Sequence, residues 1–150
     1  MKLYKPLCIM QLLKGEIKFR ELGLTLPVPI NLMILLTNVE SDVLNVIRHA
    51  QAFQEKYISD SVIRIQTGHT KRSIKQAKDS LASMGLIKIK KITRRGTEYE
   101  IIYGTLCKIL RELNKERSPC KRLEIADEFR GEGKSINKGL INEYKGSNFD

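Results

Sequence analysis

Gly68, which lies between two residues that can each cap the start of a helix, most constrains how this chain can fold. Ser59 and Thr70 each offer a hydroxyl that can accept a hydrogen bond from an unpaired backbone N–H in the first turn of a helix. Thr67-Gly68 is expected to end the helix that follows Ser59, because glycine adopts the left-handed conformation that a residue with a Cβ resists. The sequence therefore predicts two helices joined by a tight turn. The candidates for the inward face of the first are Val62, Ile63 and Ile65.

The helix that follows Thr70 is expected to run to about Met84 and to have two different faces. Its apolar side chains repeat at spacings of three, four and three residues, which places them on one side. They are Ile74, Ala77, Leu81 and Met84. The opposite side collects Arg72, Lys75, Gln76, Asp79 and Ser83, with Lys71 at its flank. A short helix, a glycine turn and a longer helix with a basic first turn are typical of a helix-turn-helix unit.

The segments on either side extend this prediction. Thr37 to Glu40 matches the T-x-x-E capping box, which predicts a helix from there to about Lys56 with one buried stripe. After the longer helix, Leu86 to Ile92 and Glu98 to Tyr103 alternate between apolar and polar residues. The expected inward residues are Ile87, Ile89, Tyr99, Ile101 and Tyr103. The basic, glycine-containing loop from Thr93 to Thr97 joins the two runs, so a β-hairpin is predicted.

Positive charge is concentrated in the same region. Ser61 to Thr97 holds ten basic side chains and one acidic side chain, a formal charge of +9, whereas the whole chain carries +10. A local excess of this kind is typical of a surface that binds a polyanion. The alternative is a solvated lysine-rich face.

Composition excludes several classes of protein. A hydrophobic content of 41% with 29% charged residues is typical of a globular chain. The longest apolar stretch, Val28 to Leu36, is interrupted by Pro29 and Asn31 and is shorter than the roughly 20 residues of a membrane helix. We therefore expect a cytoplasmic protein without membrane association. The two histidines stand apart and no nucleotide-binding or hydrolase motif is present, so neither an enzyme nor a metal or small-molecule cofactor is expected.

Residues from about Pro29 to Tyr103 resemble the winged helix-turn-helix domains of prokaryotic transcriptional regulators and of phage and plasmid replication proteins. The run TGHTKRSIKQAKDSLASMGLIKIKK carries most of the resemblance, and PINLMILLTNVESDVLNVI resembles the entry into the first helix. The match covers about half of the chain and departs from the family pattern at Arg64 and His69. It implies an α+β, mainly α fold: a three-helix core with a β-hairpin wing, an N-terminal extension and a C-terminal helix.

The resemblance also implies a function, sequence-specific binding of double-stranded DNA, and a set of contacts. Arg72 and Gln76 would contact bases. Phosphate contacts would come from Thr70, Lys71, Lys75, Arg94 and Arg95. Alternatives remain for several residues. Arg72 and Gln76 can be ordinary solvated residues, Arg64 can pair with Asp60, and His69 can be a turn residue. Lys88, Lys90 and Lys91 can be lysines of an edge strand that prevent aggregation.

The expected organisation has four parts: an N-terminal extension (1–29), the winged helix domain (30–103), a C-terminal helical region (104–130) and a flexible polar tail (131–150). The helical region has an apolar stripe at Leu106, Ile109, Leu110 and Leu113. This stripe packs either on the chain itself or in a homodimer, which would place two recognition helices one DNA turn apart. The biological role would be transcriptional regulation, or replication or partition of a phage or plasmid. The alternative is a protein-protein adaptor in a nucleic-acid-processing complex.

Overall fold

The structure, a computed structural model, describes residues 30–147, and the expected extension 1–29 lies outside the described residues. The described part is mainly helical, with one antiparallel two-stranded sheet, so the expected α+β, mainly α class is confirmed. In chain order the elements are a 3-10 turn (Ile30–Met33), α1 (Asn38–Ala52), α2 (Asp60–Thr67), α3 (Lys71–Ser83), β1 (Ile87–Thr93), β2 (Gly96–Ile101), α4 (Tyr103–Lys115), α5 (Pro119–Arg130) and α6 (Lys138–Ser147). No helix within residues 30–147 combines the length and the apolar character needed to cross a membrane.

The predicted helix starts are confirmed. The Thr37 hydroxyl accepts from the Glu40 backbone N–H at 3.2 Å, and the Glu40 carboxylate accepts from the Thr37 N–H at 2.9 Å, which completes the capping box of α1. Ser59 and Thr70 cap α2 and α3 through the backbone N–H three residues further on. Gly68 ends α2 with a φ of 75°, the left-handed conformation expected of it. Helix α1 ends at Ala52, one turn earlier than expected.

The core forms where α1 packs against α3. The predicted stripe of α3 is buried, because side chains three and four residues apart share one side of a helix. The stripe of α1 is buried as far as Ala50, whereas Phe53 and Gln54, the candidates for its last position, are exposed beyond the end of the helix. The prediction for α2 is only partly confirmed: Ile63 is buried, whereas Val62 is 38% and Ile65 is 83% exposed. A two-turn helix on the surface contacts the core only along the side that carries Ile63. Val62 and Ile65 lie about 100° and 200° around the helix axis from Ile63, so they point away from the core.

The hairpin has a bulge that keeps its apolar residues on one face. Ile87 pairs with Ile101 and Ile89 with Tyr99, and the register shifts between Ile89 and Lys91. After the shift, Ile92 lies opposite Thr97. The apolar face leaves the core along the strand, since Ile87 is buried, Ile89 is 44% exposed and Ile92 is 76% exposed. The strands reach Thr93 and Gly96, so the turn is shorter than predicted, and Tyr103 begins α4 instead of ending β2.

The hairpin is held against the chain just before α2. Ile58 and Thr97 exchange two backbone hydrogen bonds, each 2.9 Å long. Gly96 has a φ of 135°, and a Cβ at this position would lie 2.5 Å from the backbone carbon of Ile58. Only glycine fits this approach, because it lacks the Cβ and tolerates positive φ. The hairpin is thereby fixed next to the start of α2.

The apolar stripe of α4 is buried inside the chain. Its members are between 0% and 8% exposed: Leu106, Ile109, Leu110 and Leu113. Helix α4 packs on the 3-10 turn and on α5, and the stripe joins the main core. These four side chains are therefore covered by their own chain, and a homodimer stays a prediction. The alternative, packing within one chain, is what the structure has.

The segment after α5 contains a helix that the sequence pattern did not predict. Residues 131–150 were expected to form a polar tail, but Lys138–Ser147 forms α6. Asn137, just before it, is buried and donates to the Ile34 carbonyl at 2.7 Å and to the Asp127 carboxylate at 3.0 Å. The segment is held by polar contacts to distant residues instead of an apolar stripe, so the periodicity of the sequence does not reveal it.

Candidate nucleic-acid interface

The outward face of α3 presents a set of exposed polar and basic side chains. The residues expected at DNA are all exposed there: Thr70, Lys71, Arg72, Lys75 and Gln76. They are exposed because the buried stripe of α3 faces α1 and directs these positions to solvent. The structure thus brings together on one helix face five of the seven residues predicted for DNA contact.

The N-terminus of α3 is suited to an anion. Its first turn contains Lys71 and Arg72 and no acidic residue. The backbone N–H groups of a first turn and the positive end of the helix dipole add to that charge. The Thr70 hydroxyl is already engaged: it accepts from the Ser73 N–H at 3.1 Å and donates to the Ser73 hydroxyl at 3.0 Å. A phosphate contact through Thr70 would have to share this cap.

One cation of the basic cluster does not belong to the exposed face. Lys78 donates to the Asp60 carboxylate at 2.8 Å, and its side chain is 14% exposed. Burial by itself lowers the pKa of Lys78, but the hydrogen bond to Asp60 and the proximity of Tyr99 outweigh burial and raise the pKa above its usual value. Lys78 therefore links α3 to α2 as a structural cation. In the alternative considered for Arg64 it pairs with Asp60, but Asp60 binds Lys78 instead.

The turn of the hairpin carries the two other predicted phosphate contacts. Arg94 and Arg95 are both exposed between the paired residues Thr93 and Gly96. The Thr93 hydroxyl donates to the Gly96 carbonyl at 2.9 Å and accepts from the Arg95 N–H at 3.2 Å. These bonds hold the turn in one shape, so two guanidinium groups project from a defined backbone.

The lysines of β1 are partly balanced by acidic residues across the hairpin. Lys88 lies directly opposite Glu100, and Lys91 lies opposite Glu98. Opposite charges at such cross-strand positions attract each other. With these two acids counted, Ser61 to Glu100 carries a formal +7. The remaining excess lies mainly on α3 and at the hairpin turn, and a charge count extended through β2 would have detected the two acids from sequence.

The turn before α3 is tied to α1 by His69. A ring nitrogen of His69 lies 2.7 Å from a carboxylate oxygen of Asp42. This contact joins the turn to α1 next to the Thr70 cap. Sequence reasoning missed both this pair and the Lys78 to Asp60 pair, because the partners lie on different helices and no local spacing relates them. Within residues 30–147, no three His, Cys, Asp or Glu side chains converge as metal ligands do.

Comparison with known proteins gives no match: no protein-family model, no curated protein and no solved structure is similar to this chain.

Proposed function

We propose that this chain is a sequence-specific double-stranded DNA-binding protein of the winged helix-turn-helix type. Helix α3 would lie in the major groove, and the turn at Arg94 and Arg95 would contact phosphates. The biological role would be that of a transcriptional regulator, or of a replication or partition factor of a phage or plasmid.

The exposed face of α3 carries the proposal. Arg72, Lys75 and Gln76 are exposed on it, and the first acidic residue, Asp79, lies seven residues after Arg72. Seven residues correspond to about 10 Å along a helix axis, so the leading two turns present only cations and neutral polar groups to a duplex. This distribution favours a polyanion at the N-terminal half of α3.

The side chains on that face match the chemistry of base recognition. An arginine can donate two hydrogen bonds to guanine, and a glutamine amide can pair with adenine. Arg72 and Gln76 are four residues apart, and such side chains are neighbours on adjacent turns. They could therefore contact neighbouring bases, while Lys71 and Lys75 beside them would contact phosphates.

The order of elements supports the winged type. Helix α1 is followed by the short extended contact of Ile58 with β2, then by α2, the Gly68 turn, α3 and the hairpin. The hairpin directly follows α3 and is attached next to the start of α2. In a winged helix domain this arrangement places the wing beside the recognition helix.

A second candidate function is supported by one observation. Ile65 and Val62 on α2 are exposed apolar side chains, and single helices with such residues can contact another protein. This favours the adaptor alternative, in which α2 would bind a partner. The adaptor alternative does not explain why the exposed face of α3 is cationic.

Selection of sequences from a random pool of DNA duplexes tests the proposal. We expect enrichment of one motif and a footprint whose length reports whether one or two recognition helices bind. A pool that shows no enrichment above nonspecific background would reject base recognition and favour the adaptor function.

A further inference from the structure

A cavity of about 590 Å³ lies where the 3-10 turn and helices α4, α5 and α6 meet. Its volume falls within the roughly 300 to 1,000 Å³ of small-molecule pockets. The walls are mainly apolar, and no residue of α3 or the hairpin contributes to them. The apolar lining residues are Ile34, Pro119, Leu123 and Leu140, joined by the ring of Tyr144.

The polar side of the cavity consists of Asn31, Asn114 and Arg122. One guanidinium nitrogen of Arg122 donates to the side-chain oxygen of Asn31, whose amide nitrogen in turn donates to Asn114. These contacts orient the guanidinium at the cavity wall. The Asn31 side chain accepts from Arg122 as a neutral group, so it does not balance the positive charge.

Arg122 therefore lacks two things that a half-buried arginine normally has. Its Nε–H is buried without an acceptor, and among residues 30–147 the guanidinium forms no ion pair. A buried donor without an acceptor costs free energy, and so does a partly buried charge without a partner of opposite sign. A carboxylate in the cavity would supply the missing negative charge and would match the planar geometry of a guanidinium.

We propose that this cavity binds a small carboxylic acid with an apolar body. The carboxylate would pair with Arg122, and the apolar body would lie against Ile34, Leu123 and Leu140. Leu140 is 49% exposed, so part of this apolar surface faces the open cavity. Helix α6 supplies Leu140 and Tyr144, so a bound ligand would also hold α6 against α5. The inference concerns a site lined by other elements and does not depend on DNA binding.

Fluorescence titration of the full chain tests this site directly. The chain has no tryptophan, so a Tyr144→Trp variant has a single reporter in the cavity wall. We expect a saturable spectral change with octanoate below its micelle threshold. Octanol, which has the same chain length and no charge, is expected to bind at least tenfold more weakly. The same ratio should appear by calorimetry on the unchanged protein, which controls for the reporter.

A second substitution identifies the group that recognises the carboxylate. Arg122→Met in the reporter background should weaken octanoate at least tenfold and leave octanol unchanged. If this variant does not fold, Arg122→Lys, which keeps the charge, should retain octanoate binding more weakly than wild type. Absence of saturable octanoate binding in the unchanged protein overturns the proposal. Equal affinities for octanoate and octanol also overturn it, since they would show a nonspecific apolar site.

Discussion

Arg130 and Glu40 form a buried ion pair between the last residue of α5 and the capping box of α1. Two guanidinium nitrogens of Arg130 donate to the two carboxylate oxygens of Glu40, at 2.5 and 2.9 Å. Arg130 also donates to the Leu35 carbonyl at 2.9 Å and to the Lys134 carbonyl at 2.7 Å. The same carboxylate thus caps α1 and binds α5. The C-terminal helices are joined to the first helix of the core instead of forming a separate unit.

Removal of one partner should destabilise the protein strongly. Arg130→Ala leaves the Glu40 carboxylate buried and without its cation, a change that typically costs about 3 to 5 kcal/mol. Chemical denaturation should show this loss in the free energy of unfolding. Lys115→Ala is the matched control, because Lys115 pairs with Glu112 at 3.6 Å on an exposed surface. Its effect should stay within about 0.5 kcal/mol, and equal effects of the two substitutions would contradict the buried pair.

The same pair predicts a dependence of stability on pH. Burial alone raises the pKa of Glu40, but the hydrogen bonds from Arg130 and the Thr37 backbone outweigh burial and lower the pKa below its ordinary value of 4.5. The carboxylate therefore contributes its full stabilisation above about pH 4.5 and loses it as the pH falls through the lowered pKa. The difference in unfolding free energy between wild type and Glu40→Gln should be constant near neutral pH and shrink in acid. A difference that grows in acid would contradict this assignment.

Gly96 should not tolerate a side chain. In Gly96→Ala the added Cβ would lie 2.5 Å from the backbone carbon of Ile58, and the alanine would have to adopt a φ of 135°. We expect a loss of roughly 1 to 3 kcal/mol or more in thermal or chemical unfolding. Gly104→Ala is the control, since Gly104 lies in α4 with open space where its Cβ would be. That substitution should be neutral or slightly stabilising. A Gly96→Ala protein as stable as the wild type would show that the hairpin does not approach Ile58 this closely.

The sequence was sufficient where the determining contacts are local. The Thr70 cap, the Gly68 turn and the face of α3 each depend on residues within one or two helical turns, so residue type and spacing predict them. The exposed positions of Arg72 and Gln76 followed from the same period.

Contacts between distant residues could not be predicted in this way. Arg130 and Glu40 are 90 positions apart, and Asn137 is 103 positions from Ile34. No periodicity relates such pairs, so the packing of the C-terminal helix was left open between its own chain and a dimer, and the segment after it was expected to be a polar tail. Ile65 was a candidate for the inward face of α2 and is exposed for a related reason, because an apolar residue in a short helix is buried only if a neighbouring element covers it.

The two arginines of the hairpin turn should contribute affinity without sequence preference. If they contact phosphates, the double substitution Arg94→Ala with Arg95→Ala should weaken selected and random duplexes by similar factors. It should also reduce the slope of log K against log salt concentration by about 0.9 per lost phosphate contact. Titrations at several salt concentrations measure this slope. An unchanged slope would remove the hairpin turn from the interface.

The central claim is that the exposed face of α3 recognises bases, and the affinity ratio between the selected duplex and a scrambled duplex tests it most directly. Arg72→Ala should weaken the selected duplex by about 1 to 3 kcal/mol and reduce this ratio, because a base contact is lost. Lys108→Ala removes the same charge from an exposed position of α4 and should leave the ratio unchanged. Equal weakening of both duplexes by Arg72→Ala would contradict base recognition by α3.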